Sequence, residues 1–356
     1  MRKQASEIHT EKKKGTSMAN TDIGIDLGTS NVVMTMGNKG VVLSEPSVIA
    51  YNTRTDRILA VGREAYDMIG RNPDYIAVER PISEGVISDA DLTHSMIREF
   101  IIKVTGRQLI KPRIVICVPS FITDIESRAV VEAARSAGSR QVYLIQEPVA
   151  ALLGAGIDIT KARGNMIVDI GGGTTDIAIV SMNGVVTSHT VKNAGNSIDR
   201  AIIRYMQNKF KLLIGDRTAE TVKKELCNLY DPGPDITYTV KGRSLLKGLP
   251  AQVQLSETEL FQAVEGEVLS IMEAVRQSVE DAPPELVADI NENGLLLTGG
   301  GALLGGLTQL IKRTLGIDCT IAKDTINCVA KGTAMAFGSM TTLLDGFEQA
   351  PIYKYK

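Results

Sequence analysis

The sequence predicts an α/β protein built by duplication, with two lobes that each have a core mixed sheet flanked by helices and a smaller outer subdomain. Three observations lead to this fold class. An acid-bearing glycine turn between two short apolar runs occurs twice, in residues 23–36 and 166–180. The same order of strand and helix patterns follows each turn. The chain of 356 residues is also too long for one ordinary hydrophobic core.

The first lobe is predicted from short β-branched runs bounded by glycine, which are typical of buried strands, and from periodic segments typical of helices. One helix opens with a capping box formed by Thr123 and Glu126. In chain order the predicted elements are two strands in 23–36, a strand from 41, a strand in 113–119, a helix in 123–138, a strand in 142–145 and a helix in 148–154.

The second lobe repeats these units in the same order. They are strands in 166–170, 177–180, 185–186 and 295–297, a helix through Leu304 to a stop at Gly316, a strand in 319–321 and a helix in 328–337. Two insertions predict the outer subdomains, at about residues 52–82 and 198–293. The larger insertion includes a hairpin in 237–255 and a long helix opened by the capping box of Ser256 and Glu259.

These patterns divide the chain. Residues 1–21 are predicted to be a disordered basic tail. Residues 22–163, with about 338–356, form lobe I, and residues 164–337 form lobe II. We expect the functional site in the cleft between the lobes.

Composition argues against several classes of function. The net charge of −2 and the lack of tryptophan give no support for nucleic-acid binding. The four cysteines are scattered without a CxxC pair, which indicates buried free thiols in a reducing, cytoplasmic setting. The sequence has no apolar run as long as a membrane span, no signal-peptide pattern, no Walker-type P-loop and no G-x-S-x-G elbow.

The two glycine turns have the chemistry of a polyphosphate clamp. Glycines let backbone N–H groups converge on an anion. Four hydroxyls add donors for phosphate oxygens, those of Thr29, Ser30, Thr174 and Thr175. Asp26 and Asp169, at the ends of the incoming strands, supply carboxylates that would hold Mg²⁺ through its bound waters. The alternative for each copy is a turn that only reverses the chain, but two copies at equivalent places favour the clamp.

Two further features leave their alternatives open. Gly300–Leu303, in a third glycine cluster before a helix, could receive an adenosine on bare backbone or could be only a strand–helix turn. Glu147 follows a predicted strand and precedes Pro148. Its carboxylate could orient a water molecule for phosphoryl transfer, or could be a helix N-terminal acid that interacts with the helix dipole.

Taken in order, these motifs resemble the actin-like ATPase superfamily, and more closely its MreB/Mbl family of bacterial cell-shape proteins. The resemblance covers nearly all of residues 22–337. The motifs that carry it lie in residues 25–31, 45–48, 118–119, 147–148, 168–175, 215–223, 283–286 and 298–303. The fold class that it implies is the actin-like (ribonuclease H-like) duplicated fold.

The resemblance implies a cytoskeletal ATPase that binds ATP and Mg²⁺, polymerises into double protofilaments, and directs cell shape and lateral cell-wall synthesis. The implied phosphate contacts are Gly28, Thr29, Ser30, Asn31, Gly171, Gly172, Gly173 and Thr174. The implied contacts of the adenosine are Glu220, Thr221, Val222 and Lys223, with Gly300, Gly301, Ala302 and Leu303 opposite. Glu147 with Thr175 would position the attacking water. The implied partners are a second copy of the chain, RodZ and the MreC/MreD complex, at the cytoplasmic face of the membrane.

Leu109 and Ile110 match the family's hydrophobic membrane-inserting loop. Two aliphatic side chains beside Arg107 and Lys111 could bury in lipid while the cations meet headgroups. One such loop binds weakly, and repetition along a filament multiplies the effect. Without the resemblance, packing of both side chains under the following strand is the favoured alternative.

The sequence departs from the family pattern at Ser30, where alanine is common, and at Asp176, where glutamate is usual. Residues 195–197 lack the usual acid near the ribose. Two other functions use this fold. A non-polymerising chaperone-like ATPase would need a substrate-binding domain, and a sugar-kinase-like ATPase would need a sugar pocket with its own base. The sequence shows neither, so it predicts a polymerising ATPase.

Overall fold

A computed structural model of the protein describes Ala19 and residues 21–106, 111–119 and 122–346, with side chains up to residue 338. Most of the predicted tail therefore lies outside the described residues. The predicted membrane loop, Leu109 and Ile110, also lies outside them.

The first half of the chain begins with a three-strand meander, and alternation of strands with helices follows only from residue 90 onwards. Its strands are β1 (Ile23–Leu27), β2 (Asn31–Met36), β3 (Val41–Pro46), β4 (Ile49–Asn52), β5 (Arg57–Val61), β6 (Ile76–Glu79), β7 (Ile82–Ser83), β8 (Val86–Ile87), β9 (Arg113–Val118) and β10 (Gln141–Gln146). Its helices are α1 (Arg63–Met68), α2 (Ala90–Thr105), α3 (Asp124–Ser136) and α4 (Glu147–Gly154).

The second half begins with the same meander. Its strands are β11 (Asn165–Ile170), β12 (Thr175–Ser181), β13 (Gly184–Val191), β14 (Leu212–Leu213), β15 (Thr237–Ser244), β16 (Pro250–Ser256), β17 (Leu295–Thr298) and β18 (Cys319–Ile321). Its helices are α5 (Gly195–Phe210), α6 (Asp216–Leu226), α7 (Glu257–Glu280), α8 (Pro284–Asn293), α9 (Leu307–Leu315) and α10 (Cys328–Gly346).

The two core sheets match strand by strand. The first has the order β10-β9-β1-β2-β3 and the second β18-β17-β11-β12-β13. In each sheet the central strand pairs antiparallel with the next strand of the chain and parallel with a strand from the second part of its half. The predicted α/β duplication is confirmed.

Two smaller sheets form the outer subdomains. The sheet β5-β4-β6 packs with α1 in the first half, and the sheet β14-β15-β16 packs with α6 in the second. Both predicted capping boxes are present, Thr123 with Glu126 on α3 and Ser256 with Glu259 on α7. The lobe boundaries remain a prediction, and the one placed at residue 337 falls inside α10.

Helices α4 and α10 form a layer between the two core sheets. They share a buried cluster with side chains of both sheets, including Cys117 of β9 and Ala178 of β12. The helices approach closely through glycine: a Cβ at Gly154 would lie 1.9 Å from the Cys328 carbonyl oxygen, and one at Gly332 would lie 1.7 Å from that of Ala150. The halves are therefore joined through a helix pair in backbone contact.

One helix boundary was predicted wrongly. The helix expected through Leu304 begins only at Leu307, and Gly300–Leu303 forms a separate short 3₁₀ helix. The reason is Gly306, whose φ of 76° lies in the left-handed region and breaks the helical path.

Candidate functional site

The two predicted glycine turns have the same backbone closure. In the first glycine turn (residues 28–30), the Gly28 N–H donates to the Asn31 carbonyl oxygen at 3.1 Å. In the second glycine turn (residues 171–174), the Gly171 N–H donates to the Thr174 carbonyl oxygen at 2.9 Å. Both turns follow the central strand of a core sheet, which puts equivalent backbone groups at equivalent places in the two halves.

The turns face each other in direct contact. A Cβ at Gly172 would lie 1.8 Å from the Ser30 Oγ, and a Cβ at Gly173 would lie 2.8 Å from the Thr29 Oγ1. Only a residue without a side chain lets the backbones approach this closely. The structure thus brings together the predicted phosphate contacts of both halves.

Four acids gather beside these turns. Asp26 lies near the end of β1, and Glu147 is the first residue of α4. Asp169 and Asp176 lie opposite each other in the β11–β12 pair. Asp169 is only 3% exposed, and its Oδ2 has no hydrogen-bond partner in the part of the chain that the structure describes. Asp176 accepts a hydrogen bond from the Thr190 hydroxyl at 2.6 Å.

All four acids of the cluster have raised pKa values. Burial raises the pKa of Asp26 to about 7. Burial, and then the charges of neighbouring acids, raise the pKa values of Asp169 and Glu147 well above their ordinary range. Burial also raises the pKa of Asp176, against hydrogen bonds from Thr190 and Thr174. A cation placed here would relieve the repulsion between the acids.

The donor set fits Mg²⁺ held through water. The unpartnered Asp169 Oδ2 offers a hard oxygen, which is the kind of ligand that Mg²⁺ prefers. Among the residues described, no three His, Cys, Asp or Glu side chains converge as a direct metal site. Mg²⁺ commonly keeps several waters, so a pair of carboxylates is sufficient for the predicted role of Asp26 and Asp169.

Thr175, which the resemblance pairs with Glu147, bonds to another part of the second half. The Thr175 side chain is fully buried, and its hydroxyl donates to the Asn193 carbonyl oxygen at 2.7 Å. Successive side chains of a strand point to opposite faces, so Thr175 lies on the face away from Asp176. Thr174 has the orientation of Asp176 and hydrogen-bonds to it. Thr174 thus faces the acids, and Thr175 bonds to the loop between β13 and α5, while the pairing of Thr175 with Glu147 stays a prediction.

Sequence reasoning missed the β7–β8 hairpin, which touches both glycine turns. The Gly85 N–H donates to the Thr29 Oγ1 at 3.1 Å, and a Cβ at Gly85 would lie 2.6 Å from the Thr174 Cγ2. The Glu84 carboxylate lies 3.9 Å from a nitrogen of each of Lys192 and Arg200 in the second half. Glu84 and Gly85 both have positive φ, as a tight hairpin requires. The polar segment Ser83-Glu84-Gly85 between Ile82 and Val86 was the available signal.

The predicted adenosine contacts on α6 are divided between two environments. The Lys223 Nζ donates to the Gly195 carbonyl oxygen and to the Asp199 Oδ2, both at 2.9 Å, so Lys223 lies beside the second turn. Glu220 pairs with Lys224 on the same helix. Thr221 is exposed. Val222 is fully buried in the hydrophobic core, so its side chain is not available to a ligand.

The third glycine cluster packs against the end of β11. A Cβ at Gly301 would lie 2.2 Å from the Ile170 Cγ2, whereas Gly300 has open space. Ala302 is fully buried, and Leu303 is 60% exposed. The cluster therefore adjoins the second turn through backbone, and Ala302 contributes packing rather than a side-chain contact.

Comparison with known proteins agrees with this geometry. The MreB/Mbl protein family matches residues 20–345. The cell shape-determining protein Mbl of Bacillus subtilis (strain 168) is 44% identical over 323 residues, which cover 90% of this chain and 97% of Mbl. The cell shape-determining protein MreB of Escherichia coli (strain K12) is 43% identical over 333 residues, with 91% and 95% covered.

Solved structures show the same architecture. MreB5 of Spiroplasma citri bound to ADP has a TM-score of 0.86 and 33% identity, with 92% of this chain and 99% of that chain covered. The AMPPNP-bound form has a TM-score of 0.84 at the same identity, with 91% and 97% covered. A double helical filament of MamK has a TM-score of 0.74 at 22% identity, with 88% and 97% covered, and shows the fold alone.

The duplicated sheets and the facing turns define an actin-like protein of the cytoskeletal class. The identity to Mbl and MreB over nine-tenths of the chain is more specific. The chain belongs to the MreB/Mbl family.

Proposed function

We propose that this protein is an ATPase that binds Mg-ATP between its two glycine turns, polymerises in the ATP-bound state, and directs cell shape. The observation that carries the proposal is the contact of the two turns beside Asp169, whose Oδ2 has no hydrogen-bond partner among the described residues. Backbone N–H groups and hydroxyls from both halves can bind one polyphosphate there. The cell-shape role is that of Mbl and MreB relatives.

Residues of the chain have distinct roles in the proposed reaction. Asp26 and Asp169 hold Mg²⁺ through water, and the bound ion neutralises phosphate charge. Glu147 and Thr174 orient the attacking water, because their side chains adjoin the acid cluster above the second turn. The raised pKa of Glu147 suits a group that accepts a proton from that water.

The nucleotide state would act through the angle between the two lobes. Lobe I comprises residues 22–163 with about 338–356, and lobe II comprises residues 164–337. A polyphosphate bound by both turns favours closure, and closure favours contacts with a second copy of the chain. Hydrolysis then weakens those contacts. AMPPNP- and ADP-bound MreB5 of Spiroplasma citri supports nucleotide binding, and the MamK filament has the same fold.

The proposed function also includes attachment to the membrane. Leu109 and Ile110 would insert into the inner face of the cell membrane, with RodZ and the MreC/MreD complex as partners in wall synthesis. In the part of the chain that the structure describes, no helix is both long and apolar enough to cross a bilayer.

The central test is Glu147→Gln, with the exposed helical acid Glu132→Gln as the matched control. We expect Glu147→Gln to bind fluorescent ATP normally and to release phosphate at least roughly a hundredfold more slowly. Sedimentation with Mg-ATP should show filaments that persist. Unchanged turnover would remove Glu147 from this role, and a chain that stays monomeric at every concentration would contradict polymerisation.

A further inference from the structure

The β15–β16 hairpin of the larger outer subdomain ends in an ordered turn with three exposed leucines. Leu245, Leu246 and Leu249 are 42%, 80% and 63% exposed. The turn is closed by hydrogen bonds from the Ser244 N–H to the Leu249 carbonyl oxygen (2.9 Å) and from the Gly248 N–H to the Ser244 carbonyl oxygen (2.8 Å). The backbone therefore holds the leucines outward. We call residues 244–249 the hairpin tip.

Such a tip is unusual for a surface that only faces water. Single exposed apolar residues are normal, but three within six consecutive residues form a patch that indicates a binding partner. Their exposure also removes any role for them in the hydrophobic core of this subdomain, which Val240 and Leu255 supply from the hairpin strands.

The charge around the tip has one sign. Residues 236–256 contain no acid, although the whole chain has 41 acidic residues. They contain Lys241, Arg243 and Lys247, all exposed. Lys211 adjoins them, because its carbonyl oxygen accepts the Leu245 N–H at 2.8 Å. Nearby Lys209 pairs with Glu259, but none of these four cations forms an ion pair with a residue that the structure describes.

We propose that the hairpin tip is a lipid-binding site, in which the three leucines insert into an anionic bilayer and the flanking cations bind its headgroups. Exposed aliphatic side chains ringed by Lys and Arg have the chemistry of interfacial membrane contacts. The site lies in the outer subdomain of the second half. It is thus separate from Leu109 and Ile110, and it extends the membrane association proposed above.

A second copy of the chain is the competing occupant of the tip. It would need an apolar receptor rimmed by acids, whereas an anionic lipid surface meets both properties of the tip without further assumptions. The experiments below are arranged so that each occupant gives a different result.

The first experiment uses the lack of tryptophan in the chain. Leu246→Trp introduces a single indole at the tip, and Leu269→Trp places one at another exposed leucine, on α7. The nucleotide-free protein is mixed with vesicles of phosphatidylglycerol and phosphatidylcholine. We expect a blue shift and quenching by brominated lipid only for Leu246→Trp, and no change with pure phosphatidylcholine. No response to anionic vesicles, or a blue shift on Mg-ATP polymerisation without vesicles, overturns the proposal.

The second experiment measures vesicle co-sedimentation. We expect Leu246→Asn with Leu249→Asn to lower partition onto anionic vesicles roughly tenfold, and Lys247→Glu to lower it several-fold. Lys39→Glu, in an exposed turn of the other half, is the charge control. Thermal melting and vesicle-free polymerisation should be unchanged. If only Leu109→Asn with Ile110→Asn abolishes binding, the tip proposal is overturned while the proposed membrane attachment stands.

Discussion

The Arg217 guanidinium lies 5.1 Å from the centre of the Tyr66 ring, and the two residues belong to different outer subdomains. Arg217 also has a nitrogen 3.9 Å from the Asp67 Oδ1. Arg63 approaches the same ring at 5.4 Å, but from the subdomain of Tyr66 itself. The Arg217 contact thus spans the mouth of the cleft, whereas the Arg63 contact does not.

This difference gives a matched pair of variants. Arg217→Ala removes a contact between the subdomains, so we expect bound nucleotide to leave about two- to fivefold faster, as suits an exposed cation–π pair. Arg63→Ala keeps the spanning contact and should leave the release rate near that of the wild type. Stopped-flow displacement of a fluorescent ADP measures both rates. Equal effects of the two variants would show that closure does not depend on this contact.

Removing the side chain of Asp22 should destabilise the first core sheet. The Arg113 Nε donates to the Asp22 Oδ1 at 3.0 Å, and both residues are nearly buried. Asp22→Ala leaves a buried guanidinium without its carboxylate, which costs about 3–5 kcal/mol. Glu99→Ala, which breaks the exposed pair with Arg98, should cost less than about 1 kcal/mol. Chemical denaturation of the nucleotide-free protein distinguishes these values.

Adding a methyl group at Gly172 should separate the two glycine turns. The new Cβ would lie 1.8 Å from the Ser30 Oγ and 2.8 Å from the Ser30 Cβ. We expect Gly172→Ala to weaken ATP binding at least roughly tenfold and Ser30→Gly in the same chain to restore part of it. Gly266→Ala, at an exposed helical position with open space, should instead stabilise the fold by about 0.5–1 kcal/mol. Titration calorimetry and melting curves report both effects.

The acid cluster should make the nucleotide-free protein less stable as pH rises. Asp26 has a pKa of about 7 in the folded chain against an ordinary value of 3.8. Between these values the folded state binds more protons than the unfolded state, so the contribution of Asp26 to the free energy of unfolding falls with pH and is lost above about pH 7. The raised pKa values of Asp169 and Glu147 act in the same direction. We expect the melting temperature to decrease from pH 5 to pH 8.

Asp26→Asn tests the cause of this slope, because it removes the titrating group. The variant should melt at a more constant temperature across the same pH range, and Mg-ATP should reduce the slope of the wild type. Parallel curves for the wild type and Asp26→Asn would contradict the assignment.

Much of the structure could be predicted from local sequence patterns. The capping boxes of Thr123 and Ser256 and the strand-end positions of Asp26 and Asp169 depend on neighbours in sequence, and they were predicted correctly. The repeated order of units also predicted two equivalent sheets, because one pattern folds the same way twice.

The features that could not be predicted from the sequence depend on strand register and on contacts between distant segments. Thr174 and Thr175 differ only in the sheet face that they occupy, which the start of β12 decides. The contact of Gly85 with Thr29 joins residues 56 positions apart, and no local signal specifies such a partner. Val222 is read as a ligand contact from its motif, but its helix turns it into the core.

The glycine contacts between α4 and α10 have a mechanical consequence. At Gly154 and Gly332 the backbones of the two helices touch, and around these points side chains of both helices pack into the buried cluster shared with the two sheets. This junction resists the sliding of one half past the other. A nucleotide-dependent change of the kind proposed above would therefore rotate the halves about this helix pair.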